Sequence, residues 1–119
     1  MEGPHRMISV SNCVNDVLKR GLDDWVDAAE LAHVVRSNGC STPTEVREIA
    51  LMVIAELLHN ELMQVGDVTY DGFKEWSVTS TEALDRIARE WNSGKGPNLG
   101  EICWLSNTEE GDRRAKSVL

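Results

Sequence analysis

Apolar residues recur along the chain with helical spacing in several stretches and with strand spacing in one. Val14, Val17 and Leu18 make a stripe on a first short helix beginning at Ser11 or Asn12. Lys19 and Arg20 fall in its last turn, where the helix dipole favours cations, and Gly21 ends it. Asp23 or Asp24 is the expected cap of a second helix, on which Trp25, Ala28, Ala32 and Val35 share a face. Asn38-Gly39 stops it, because both residues tolerate positive φ. Thr42, Pro43 and Glu45 then form a capping box with proline at the first helical position. The third helix runs from Glu45 to Leu62 and is apolar around much of its girth, through Val46, Ile49, Ala50, Val53, Ile54, Leu57 and Leu58. Such a helix is predicted to be the central element of a small domain.

The period changes after Leu62. "MQVGDVT" and "FKEWSV" read as two strands joined at Tyr70-Asp71-Gly72, since Asp-Gly between strand-like runs is the strongest short hairpin signal. Thr79 and Glu82 form a second capping box. Leu84, Ile87, Ala88 and Trp91 follow at i, i+3, i+4 and i+7, with Glu82–Arg86 and Asp85–Arg89 as expected outer-face pairs. "NSGKGPN" is a loop. A short helix capped by Asn98 is expected next, with Leu99, Ile102, Cys103 and Leu105 apolar. The tail "TEEGDRRAKSVL" starts acidic and ends basic, as a dipole-matched helix does. The expected fold is mainly α with one β-hairpin: three helices, the hairpin, then two or three helices. Residues 1–10 are read as a flexible leader and 11–119 as a single globular domain.

At 119 residues and 41% hydrophobic content the chain suits one core and is too apolar for disorder. No stretch approaches bilayer-spanning length, and "MEGPHRMISVSNCVNDV" lacks the basic patch and apolar run of a secretory signal, so the expected compartment is the cytoplasm. Cys13, Cys40 and Cys103 are odd in number and widely separated, which suits buried free thiols rather than a disulfide framework or metal site.

Charge changes the picture most. Twelve Lys and Arg against twenty Asp and Glu leave a net charge of −8, a mean field that repels polyanions and steers basic partners inward. Glu30 with His33, and Glu56 with His59, have the Glu-x-x-His spacing of di-iron bundles, but both pairs lie away from the apolar faces of their helices, where bundle ligands must point inward. Gly94-Lys95-Gly96 lacks the spacing, the following Ser or Thr and the preceding strand of a P-loop. No Gly-x-Ser-x-Gly elbow occurs. No enzyme activity, cofactor or metal is therefore expected. Trp91 fits the core stripe, and Trp25 and Trp104 are expected beside it. Trp76, on a hairpin strand, is either a contact anchor or packed onto the helices.

Three helices followed by a hairpin and a further helix, over residues 12 to 91, resemble a winged helix. The resemblance implies a third helix that enters the DNA major groove, here Glu45 to Leu62, and a wing on the backbone, here Val65 to Val78. Those surfaces are acidic. The helix carries Glu45, Glu48, Glu56 and Glu61 against Arg47, and the wing carries Asp67, Asp71 and Glu75 against Lys74. DNA binders need several cations on phosphates, so nucleic acid is not the expected partner. The leading expectation is a non-catalytic module that binds a basic protein through Glu56, Glu61, Asp67, Asp71 and Glu75, with Trp76 as anchor. In being small, acidic and without motifs the chain is similar in character to bacterial immunity and antitoxin proteins, which implies a basic toxin such as a nuclease as target. The alternative is a winged-helix transcriptional regulator that binds DNA as a dimer, with a basic face built from Arg86, Arg89, Arg113, Arg114 and Lys116.

Overall fold

The computed structural model describes residues 8–92 and 94–119. Its elements are α1 (Val10–Gly21), β1 (Val26–Asp27), α2 (Ala28–Ser37), α3 (Pro43–His59), β2 (Met63–Thr69), β3 (Gly72–Glu75), α4 (Ser80–Glu90), β4 (Trp104–Asn107) and α5 (Glu109–Ser117). The architecture is mixed α/β. Most of the expected leader lies outside the described residues, but Ile8 packs on the core, Ser9 caps α1 and Val10 begins it, so the ordered domain starts before Ser11.

Local signals placed most elements. Thr42 accepts a hydrogen bond from Glu45 N at 3.1 Å and starts α3 as its sequence predicts, though only Thr79 and Glu82 on α4 complete a reciprocal capping box. The tail helix α5 forms with Thr108 as its cap. Met63–Thr69 is a strand, and the hairpin closes with Thr69 opposite Gly72. Tyr70 and Asp71 therefore make the turn, and Gly72 follows at φ 107°, a conformation in which glycine carries no Cβ penalty.

The structure differs at four places. Asp27, not Asp23 or Asp24, caps α2, because Val26 and Asp27 are drawn into a ladder opposite Leu105 and Trp104. α3 stops at His59 rather than Leu62. Glu61 N donates to Leu58 O, Leu62 N donates to Leu57 O, and Glu61 adopts φ 56°, which is a Schellman end with glutamate where glycine is usual. The second hairpin strand ends at Glu75 rather than Val78, although Trp76 N still donates to Val65 O at 2.9 Å. The expected helix at Asn98–Leu105 is instead a turn and strand β4, with Ile102 at φ 73° breaking any helical path.

β4 is the element that organises the sheet. The strand order is β1-β4-β2-β3, all antiparallel. Val26, Leu105, Val65 and Met63 face the helices and are buried with Val17, Leu18, Ile54, Leu57 and Ile87. Gln64, Gly66 and Val68, with their cross-strand partners Ser106, Trp104 and Phe73, share the other face. α1 packs on α3 and α5, and α3 on α2 and α4.

Candidate functional site

The root of the hairpin, the end of α3 and the start of α4 enclose a cleft of about 260 Å³. Each border has a local cause. The Schellman end turns the chain sharply out of α3 and places Glu61 on the rim. Register puts Glu75 opposite Gly66, and Gln64 Nε2 donates to Glu75 Oε1 at 3.3 Å. The capping box starts α4 at the far wall, where Ser80 Oγ reaches Leu58 O at 3.5 Å. The floor is apolar, with Leu58, Met63 and Ala83 buried. A neighbouring depression shares Glu61, Gln64 and Thr108 and adds Glu109 and Glu110 of α5.

Of the acidic residues expected to bind a partner, Glu61 and Glu75 line the cleft together, and both are exposed. Glu56 lies one turn back on α3 and accepts from Asn60 Nδ2 at 3.0 Å. Asp67 and Asp71 are exposed farther along the hairpin and line no part of the cleft. Glu109 and Glu110 escaped sequence reasoning, because their closeness to Glu61 depends on where α5 docks. A signal was present in Thr108, the cap before them: its N–H donates to Leu62 O and its hydroxyl to Glu61 O at 2.7 Å.

Trp76 takes the second of its two expected places, and Trp25 leaves its expected one. Trp76 is packed, at 8% exposure, and not presented to solvent as an anchor. The Arg86 guanidinium lies 3.7 Å from its ring centroid. Trp76 lines the cleft, and its indole Nε1 is a buried donor with no acceptor. Trp25, expected beside Trp91 in the core, is 36% exposed and meets Phe73 at 6.2 Å between centroids. Pairing of Val26–Asp27 with β4 holds Trp25 out of the helical layer.

Several of the cations are occupied within the fold. Arg47 donates to Ala88 O at 2.7 Å and Trp91 O at 3.0 Å, satisfying carbonyls at the C-terminal end of α4. Arg86 pairs with Glu90, rather than with Glu82, in addition to covering Trp76. Arg113 pairs with Glu110, and Arg114 bonds Asn15 Oδ1 at 3.0 Å. Glu30 pairs with Arg20 at 3.0 Å, whereas His33, Glu56 and His59 are exposed. Among the described residues no three His, Cys, Asp or Glu side chains gather as metal ligands. No helix there is long and apolar enough to cross a membrane.

All three thiols are buried. Burial foremost, with Asp16 and Cys40 nearby, pushes Cys13 up to about 11. Burial and then Asp27 push Cys103 up to about 12, and Cys40 is also raised, by burial and Glu45. A thiol harder to ionise when folded holds its proton longer than in the unfolded chain. It therefore subtracts stability as pH rises beyond about 9, until the folded thiol itself ionises. Native protein at pH 7.5 is expected to react with a thiol reagent at least ~100-fold more slowly than denatured protein. Prompt labelling of any one cysteine would show that its burial is misjudged. Compared with known proteins, the chain matches no family model, no curated protein and no solved structure.

Proposed function

We propose that this chain is a non-catalytic, winged-helix-like binding module whose acidic cleft and hairpin engage a basic protein. In its sharpest form it is an immunity or antitoxin protein that neutralises a cationic toxin such as a nuclease. The observation that carries the reading is an asymmetry of charge use. Glu61, Glu75, Glu109 and Glu110 border two adjoining depressions, with Glu110 paired to Arg113, while Arg47, Arg86 and Arg114 are held by partners inside the fold. The helix expected to meet DNA thus keeps its glutamates exposed and spends its one arginine on α4. Carboxylates placed this way can take the phosphate sites of a nuclease and pair with its arginines.

The test is affinity capture of the partner, followed by binding kinetics across salt. Association should slow steeply between about 0.05 and 0.3 M salt, with dissociation changing less, because the steering is long-range and screened. Charge reversal at Asp67, Asp71 and Glu75 together should weaken binding by about tenfold or more and leave the melting temperature nearly unchanged, since exposed carboxylates contribute little to stability. A partner that is acidic, or a rate indifferent to salt, sinks the proposal.

A further inference from the structure

We infer that the outer face of the sheet, the one the helices leave bare, docks an amphipathic helix of the partner that carries lysine or arginine beside its apolar stripe. The inference rests on the basic-partner reading for the sign of the occupant's charge, and it names the surface that supplies the apolar contact. An antiparallel sheet with one face on the core turns polar side chains to water on the other. Here the outer face carries aromatic rings instead. Trp104, Val68 and Phe73 fall on it by register, and Trp25 meets Phe73 there at 6.2 Å between centroids. All four lie outside the buried core cluster. Trp25 is 36% exposed, while Tyr70 in the hairpin turn and Leu99 beside Gly100 are exposed at 98% and 84%. A Cβ on Gly100 would sit 3.9 Å from Cζ2 of Trp104, so Leu99 stands at the border of the same face. Exposed apolar surface gathered in this way marks an interaction site.

Charge decides what covers the face. A depression shared by Trp25 and Ser106 is walled by Asp23, Asp24 and Asp112. Asp24 accepts from Trp25 N at 2.7 Å and Asp112 from Asn107 Nδ2 at 3.0 Å, which holds both carboxylates in place at this border. Among the described residues no lysine, arginine or histidine lines the depression. Glu75, opposite Gly66, adds a fourth carboxylate and joins the face to the cleft, which it also lines. Lys74, one residue away, alternates to the other side of its strand. A second copy would bring the same acidic border against this one, on a chain of net charge −8, so self-association is disfavoured. A strand added at the β3 edge is disfavoured too, because that edge is four residues long and has a lysine in it. The bare strands β4, β2 and β3 are about 10 Å across, the width of one helix. Apolar residues at i, i+4 and i+7 of such a helix meet Trp25, Phe73 and Val68, and its flanking cations meet the acidic border.

The experiment selects binders of the intact protein from a phage-displayed library of helical peptides, about 18 residues or five turns long, randomised on face and flanks without charge bias. Enriched clones should carry an apolar stripe flanked by lysine or arginine. Their affinity should fall roughly 30-fold on Trp25→Gln, as it does when a tryptophan anchor is removed. Phe73→Gln should act in the same direction, and Asp23→Lys with Glu75→Lys should cost about tenfold, mostly in association rate. All three variants should keep the far-ultraviolet circular dichroism and a cooperative melt, because the substituted side chains lie outside the core. A selection that enriches nothing, or clones that bind Trp25→Gln and Phe73→Gln at full strength, overturn the face assignment. A dimer in sedimentation that Trp25→Gln dissolves overturns it as well, since the occupant is then a second copy. Should a captured basic partner bind both variants at full strength, the face is overturned and the basic-partner reading stands. Should the clones need Trp25 yet carry no excess of lysine or arginine, the basic-partner reading fails and the helix-docking face stands.

Discussion

Gly111→Ala is expected to cost about 3 kcal/mol and lower the melting temperature by roughly 10 °C. Propensity alone predicts the opposite sign, because alanine is better than glycine inside a helix by up to about 1 kcal/mol. The position decides against it. A Cβ at Gly111 would collide with the Leu62 carbonyl oxygen and press to 3.2 Å from a Leu18 methyl. The obstruction is backbone, and that carbonyl is already bound by Thr108 N at 3.0 Å and by the Thr108 hydroxyl at 3.1 Å. Neither side can yield without moving α5 off the α3–β2 junction. Thermal denaturation checks it: a fall of under about 3 °C would mean that α5 rides loosely on the domain. The same variant should also disturb the acidic groove, since Glu109 and Glu110 are carried on that helix.

Asp27→Ala is the second large effect, also about 3 kcal/mol. Asp27 is 1% exposed and uses both carboxylate oxygens. One accepts from Glu30 N at 2.8 Å as the cap of α2, and the other from Gly100 N at 2.6 Å, across most of the chain. Losing a cap costs about 1 kcal/mol, and stranding a partly buried N–H adds roughly 1–3 kcal/mol. Asp27→Asn keeps the shape and one acceptor oxygen, so it should recover about half of the loss. Hydrogen exchange gives the sharper reading, because the Gly100 amide should exchange much faster in the alanine variant. Unchanged protection at Gly100 would mean that the loop is held by something else.

What was legible in the sequence is what is decided within a few residues. Thr42 and Thr79 announce their helices because a cap acts three residues away, and Asp71-Gly72 marks its hairpin because the turn is self-contained. β4 was not legible. Leu99, Ile102, Cys103 and Leu105 have spacing that a helix could use, and only pairing with β1 and β2, far away in sequence, makes a strand of Trp104–Asn107. The misplaced cap of α2 and the outward position of Trp25 follow from that one missed strand. Composition identified the acidic residues, and Glu61 and Glu75 do share a cleft. Their grouping with Glu109 and Glu110, and the separation of Asp67 and Asp71 from them, required the docking of α5 and the hairpin register.

The central position of β4 also sets an order on biosynthesis. Its ladder joins Val26 to Leu105 and Met63 to Asn107, so the sheet cannot close until residues 104–107 have left the ribosome. Until then β2 presents an unpaired edge, and the apolar inner faces of β1 and β2 lack Leu105 between them. A nascent chain in that state is exposed to wrong pairing and to holdase chaperones, and loop closure over about 80 residues slows the final step. Folding of this domain is therefore expected to be late and nearly all-or-none with respect to chain length, so that any fragment ending before Trp104 is a substrate for proteolysis rather than a smaller working module.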